Sequence, residues 1–142
     1  MDRLHVLIKD VVRKIREESR AKTLMHTIDI NLTEDGVVAE FSNGRQQLIS
    51  VSQQSGYYRL TSVVLKRGYV EKIGRGKILP FIWQRNRESN LVAFSLDKKG
   101  RLIGSIEQPS ETADADEMLL YLEHLAWECD QLEYTLSGVE AS

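Results

Sequence analysis

The side chains able to do chemistry are few and scattered. The three histidines, His5, His26 and His124, lie far apart along the chain. None has a cysteine or carboxylate at a metal-ligand spacing, so neither a metal nor a cofactor is expected. Cys129 is the sole thiol and falls in line with leucines at helical spacing. That is the position of a buried packing residue, not of a nucleophile activated by a neighbouring cation. Gly74-Arg75-Gly76-Lys77 has the composition of a phosphate loop but lacks the Walker spacing and a preceding parallel strand, so it reads as a turn. Asp97 and His124 are an acid and a base by type, and nothing in their spacing brings them together. No catalytic signature emerges, and the chain is expected not to be an enzyme.

Two other groups of residues suit recognition. Lys66, Arg67, Lys72, Arg75, Lys77, Arg85 and Arg87 cluster with Tyr69, Phe81 and Trp83 among them. Basic groups interleaved with stacking aromatics fit a single-stranded nucleic acid. The charge balance opposes this reading. All 19 Lys and Arg lie in residues 1–101, while ten of the 21 acids follow Arg101, leaving +8 on the first part and −10 on the rest. The field of that acidic part resists phosphate approach. A nucleic-acid-binding module using residues 66–87 is therefore the alternative, and a nucleic-acid partner is disfavoured.

The second group lies in "MLLYLEHLAWECDQLEYTLSG", residues 118–138. At about 100° per helical residue, Met118, Leu122, Leu125, Cys129, Leu132 and Leu136 form one straight stripe, the expected core face. Leu120, Trp127 and Tyr134 recur every seven residues on the opposite side, flanked by Asp116, Glu123 and Asp130. A row of large apolar residues on the back of a helix is either covered from within, for instance by residues 67–77, or an interface. Leu120, Trp127 and Tyr134 are taken as candidate partner-binding residues. A protein partner of unknown identity is expected, with a homodimer the commonest arrangement.

The elements that position these residues follow from periodicity. Leu4, Leu7, Ile8, Val11, Val12 and Ile15 predict an amphipathic helix over residues 3–20, with Asp2 as its N-cap. From His26 the period becomes two, predicting a strand through Leu32, a turn at Glu34-Asp35-Gly36 and a second strand over residues 37–41. Asn43-Gly44 is a hairpin signal, followed by strands near residues 46–53 and 57–66. Gly68, Gly74 and Gly76 interrupt the next stretch, and Pro80 suits the first turn of a short helix. A hairpin over residues 91–106 turns at Asp97-Lys98-Lys99-Gly100, Pro109 ends it, and Asp114-x-x-Glu117 resembles a capping box opening the last helix.

Segregated strands and terminal helices predict an α+β fold, a twisted antiparallel sheet with helices at both termini, in one domain over residues 1–142. The 42% hydrophobic and 28% charged content is that of an ordinary globular protein. A single cysteine, no apolar leader and no long apolar run lead to the expectation of a cytoplasmic protein outside the membrane.

"ILPFIWQRNRESNLVAFSLDKKGRLIGSIEQ", followed by "DEMLLYLEHLAWECDQLEYTLSG", resembles the YbjN family, which shares its fold with the type III secretion chaperones. The likeness lies in a short helix ending near Asn86, a hairpin of the form F-x-L-D-x-x-G-x-L-I and a long acid-capped helix, and "GRQQLISVS" at 44–52 fits the middle strands. The resemblance covers most of residues 26–138 and contains no catalytic pattern. It implies a type III secretion chaperone-like fold and a regulator or chaperone-like protein that binds a partner polypeptide. It also implies dimers, since the chaperones are dimeric.

Overall fold

The computed structural model describes residues 4, 6–10, 13, 28–32, 36–41 and 44–141. The expected Asp2 cap, Val11, Val12, Ile15, His5, His26, Glu34, Asp35 and Asn43 lie outside them.

Six strands form: β1 (Ile28–Leu32), β2 (Val37–Phe41), β3 (Gln46–Gln54), β4 (Tyr57–Leu65), β5 (Ala93–Leu96) and β6 (Leu102–Pro109). Of these, β2, β3 and β4 show the alternation between core and solvent that their period-two sequences predict. They form one sheet in the order β1-β2-β3-β4-β6-β5, with every neighbouring pair antiparallel. The first four strands are the expected meander. The chain then leaves the sheet, returns at the far edge as β5, and closes the gap with β6 beside β4.

Ile30, Ala39, Ile49, Leu60, Phe94 and Ile106 carry the inward face. Helices cover that face. Leu7 and Ile8, in the helical residues 6–10, join the same core as the sheet. The long C-terminal helix lies across β3, β4 and β6. On the outward face β3 and β4 present mostly polar side chains such as Gln46, Ser50, Ser52 and Thr61. The fold is the expected α+β arrangement, an antiparallel sheet with helices at both ends.

The glycine-rich stretch departs from expectation. Residues 67–77 are not an irregular turn region: Arg67–Ile73 form α1 and Arg75–Glu88 form α2. Gly74 joins them at φ 99°, a left-handed value that favours glycine. Its amide donates to the Val70 carbonyl at 2.9 Å, ending α1, while its carbonyl accepts from Lys77 and Ile78 at 3.1 and 3.2 Å, starting α2. Pro80 sits inside α2, beyond the first turn, where its missing N–H removes one helical hydrogen bond. Burial of Val70, Ile73, Ile78 and Ile82 in the common core outweighs these local penalties. Short helices owe most of their stability to such packing, which local sequence does not display.

Asn86 explains why this segment docks where it does. Its carboxamide accepts from the Phe94 amide at 2.7 Å and donates to the Phe94 carbonyl at 2.9 Å, so the side chain pairs with β5 as a strand would. The C-terminal helix, α3 (Ala115–Ala141), opens at half of the expected capping box. Asp114 Oδ1 accepts from the Glu117 amide at 2.8 Å, whereas the Glu117 carboxylate accepts from Gln108 Nε2 at 3.1 Å, tying the helix to β6.

Candidate interaction surfaces

The stripe along α3 is core: Met118, Leu122, Leu125, Cys129, Leu132 and Leu136 are all fully buried. Burial, together with the Glu128 charge, pushes the Cys129 thiol pKa far up, so the thiol is packing material. The helix is buried more broadly than one stripe, since Leu119, Ala126 and Asp130 on its shoulder are also covered.

The opposite row divides. Leu120 is 46% exposed and Tyr134 66% exposed. Trp127 between them is partly buried, its indole packed against Phe41 of β2 with ring centroids 6.3 Å apart at 59°. The ring beside it thus comes from the sheet.

A polar cluster at the end of β2–β3 locks this side of α3. Arg45 Nε donates to Asp130 Oδ1 at 2.7 Å, and its Nη2 lies 3.4 Å from the Asp130 carbonyl and 3.9 Å from Glu133 Oε1. The guanidinium carbon stands 5.5 Å from the centre of the Tyr134 ring, a cation over an aromatic face. Gln47 Nε2 donates to Glu133 Oε2 at 2.8 Å, and the Ser62 hydroxyl lies 2.9 Å from both Gln47 Oε1 and the Leu48 carbonyl. Asp130 is 3% exposed, so its charge would be costly without the guanidinium. Sequence reasoning missed Arg45, Gln47 and Glu133, and it placed Asp130 among the acids flanking the row, whereas the structure buries that carboxylate against Arg45. The one available signal was polar Gln47 at an inward position of a strand otherwise carrying Ile49 and Val51 there.

The cluster sits where two strands part. Register between β3 and β4 runs from Gln54–Tyr57 only as far as Ile49–Ser62. Beyond it, residues 46–48 pair with β2, and Val63 and Leu65 pair with β6. A bulge between Val63 and Leu65 of β4 marks the divergence, and bulges bend a strand and increase its twist. A cavity of about 770 Å³ opens there, bordered by Leu48, Val63, Lys66, Tyr69, Arg101 and Glu133 among others. Its size is that of ordinary ligand pockets, roughly 300–1,000 Å³.

The basic segment is partly engaged by its own neighbours. Arg67 pairs with Glu71 at 2.9 Å, Arg85 Nη2 donates to Thr135 at 3.3 Å, and Arg87 lies 5.2 Å over the Trp83 ring. Trp83 is 65% exposed on α2. Asp97 spends both oxygens on its own turn, accepting from the Lys99 and Arg101 amides and from the Arg101 guanidinium. Among the described residues, no three His, Cys, Asp or Glu side chains converge, and no helix is long and apolar enough to cross a membrane.

No family model matches the sequence, and no curated protein matches it. Solved structures share the fold, and two of them are chains from protein complexes. One is a chain from the HopA1–SchA chaperone–effector complex, with 12% identity, 100% of this chain and 99% of that chain covered, and a TM-score of 0.53. The other is a chain from the ExsC–ExsE complex, with 16% identity, 90% and 94% covered, and a TM-score of 0.53. At these identities the likeness is one of fold.

Proposed function

We propose that this chain is a non-enzymatic, chaperone-like interaction protein that binds a partner polypeptide and works as a homodimer. The observation that carries the reading is the back of α3, where Leu120 and Tyr134 stand exposed on either side of Trp127. Exposed Trp and Tyr are the residue types that most often dominate an interface. Arg45 beneath the Tyr134 ring holds it in place, so less side-chain entropy is lost when a partner covers it. The fold shared with a chain of a chaperone–effector complex supports the same class of function. So does the YbjN-like pattern, with the regulator or type III secretion chaperone-like role that goes with it, and a cytoplasmic setting is proposed from the single cysteine and the charged N-terminal residues. In a symmetric helix-to-helix contact the acids beside the row would repel, so the second copy is expected to contribute basic side chains from residues 66–87, where Arg75 and Lys77 are exposed.

Affinity capture of the tagged protein from its native cell, followed by mass spectrometry and light scattering, tests the reading. A defined polypeptide partner and a mass near twice that of the 16.3 kDa chain are expected. Recovery dominated by nucleic acid and lost on nuclease treatment would favour the alternative, carried by Trp83 and its Arg87 neighbour. A chain that stays monomeric at high concentration refutes the dimer.

A further inference from the structure

We propose that the cavity bordered by β3, the end of β4 and α1 binds a small amphipathic carboxylate, an apolar body carrying one acid group. The proposal goes beyond the polypeptide-binding reading and does not depend on it, since Leu120, Trp127 and Tyr134 take no part in the cavity.

Strand register supplies the charge. Leu65 of β4 pairs with Leu102 of β6, so Lys66 and Arg101 are the next residues along the two chains, and both border the cavity. Like charges brought opposite each other on neighbouring strands repel. Arg101 is answered by Asp97, whose Oδ2 accepts from both Nε and Nη2 at 2.8 Å. Lys66 is exposed and has no hydrogen bond or ion pair among the described residues. Neighbouring Arg67 is paired with Glu71 and lies against Gly100, where an added Cβ would stand 3.2 Å from its Cγ. Glu133, which also borders the cavity, is already met by Gln47 at 2.8 Å and Arg45 at 3.9 Å. One ammonium is therefore left unanswered, which suits a single negative charge. Phosphate is favoured by a free guanidinium fork, and here Asp97 occupies it, so the acid is a carboxylate.

The apolar body follows from the other side chains there. Leu48 is 47% exposed and Tyr69 50% exposed, and both border the cavity. A single exposed apolar side chain needs no explanation. Here two share one space with half-buried Val63, and buried Val64 and Leu65 border it as well. An apolar lining with one placed charge is the ordinary make-up of a small-molecule site, and about 770 Å³ is an ordinary size for one. The Leu48 carbonyl is already met by the Ser62 hydroxyl at 2.9 Å, and the same hydroxyl lies 2.9 Å from Gln47 Oε1. Recognition thus falls to side chains and not to a ladder of backbone groups, which favours a small molecule.

The test titrates the full chain with octanoate and with 2-naphthoate, each against its neutral primary amide, while backbone amides are followed by NMR. Saturable shifts are expected at Leu48, Val63, Lys66, Tyr69 and Arg101, with the acid binding about tenfold more tightly than its amide through a charge-assisted hydrogen bond. Whichever acid binds better assigns the body as chain-like or planar, and either result supports the proposal. Lys66→Met should bring acid binding down to that of the amide while leaving the amide's affinity and the thermal midpoint unchanged, because the side chain is exposed. Leu48→Asp should weaken acid and amide together. Absence of saturable binding by both acids, equal binding of acid and amide, unchanged acid binding by Lys66→Met, or shifts confined to Trp83 and Arg87 of α2 would each overturn the proposal.

Discussion

Asp97 shows how a residue that resembles half of an acid–base pair is used up by its own turn. Burial alone would raise its pKa, but the Arg101 amide and guanidinium, with the Lys99 amide, outweigh that and hold it below its ordinary value. A depressed folded-state pKa means that the turn's contribution to stability is complete above the unfolded value, roughly 3.9, and is lost as pH falls through the lower folded value. Asp97→Ala is expected to destabilise the protein by about 1 kcal/mol near neutral pH. Urea midpoints for the two proteins should converge as the pH falls below the depressed folded-state pKa, where the wild-type carboxyl is protonated. A gap of the same size at both pH values would assign Asp97 to packing instead of charge. The D-x-x-G pattern of this turn was legible in the sequence, and the capture of the carboxylate by Arg101 was not, because it depends on how the hairpin twists.

At the scale of elements, α3 comes very close to β6 at Gly104. A Cβ added at Gly104 would stand 2.6 Å from the Cys129 sulfur and 3.0 Å from Phe94 Cε1, so this glycine is required by close approach and not by its backbone angle. Gly104→Ala is expected to cost about 1–3 kcal/mol through overpacking. Because the nearest atom is the thiol, the same change made in a Cys129→Ala background should cost less, with a coupling energy of about 0.5 kcal/mol or more measured in a double-mutant cycle by urea unfolding. Strict additivity would show that the helix shifts as a whole and that the sulfur does not set its distance from the sheet. Gly36 plays a comparable part at the other end, where an added Cβ would collide with the Ile49 carbonyl as the chain enters β2.

For the whole molecule, α3 separates two roles that one substitution pair can distinguish. Leu125 lies on the buried stripe, and Leu125→Ala should lower stability by about 2–5 kcal/mol. Leu120→Arg and Tyr134→Ala change exposed side chains, so they should leave the melting temperature nearly unchanged while shifting the dimer toward monomer in light scattering. Trp127→Ala is the less clean probe, because its indole packs on Phe41 and its loss disturbs the sheet as well as the row. Variants at 120 and 134 that remain fully dimeric would remove the row from the interface.

Much of the architecture was present in the sequence by itself, because local periodicity is a one-dimensional record of which side faces the core. The strand alternation in residues 37–41 and 57–64, the stripe from Met118 to Leu136 and the buried place of Cys129 all follow from spacing alone. Local signals misled where tertiary burial overrode them, as at Gly74, Gly76 and Pro80, whose helices are stabilised by apolar residues packing on distant strands. Arg45 meets Asp130 across 85 positions, and Gln47 meets Glu133 across 86. No window of sequence can place those groups together, nor can it show that the β3–β4 pairing ends beside them, next to the irregularity in β4. Which faces are buried is written in the order of residues; which polar groups converge, and where the sheet stays open, is decided only when the chain has folded back on itself.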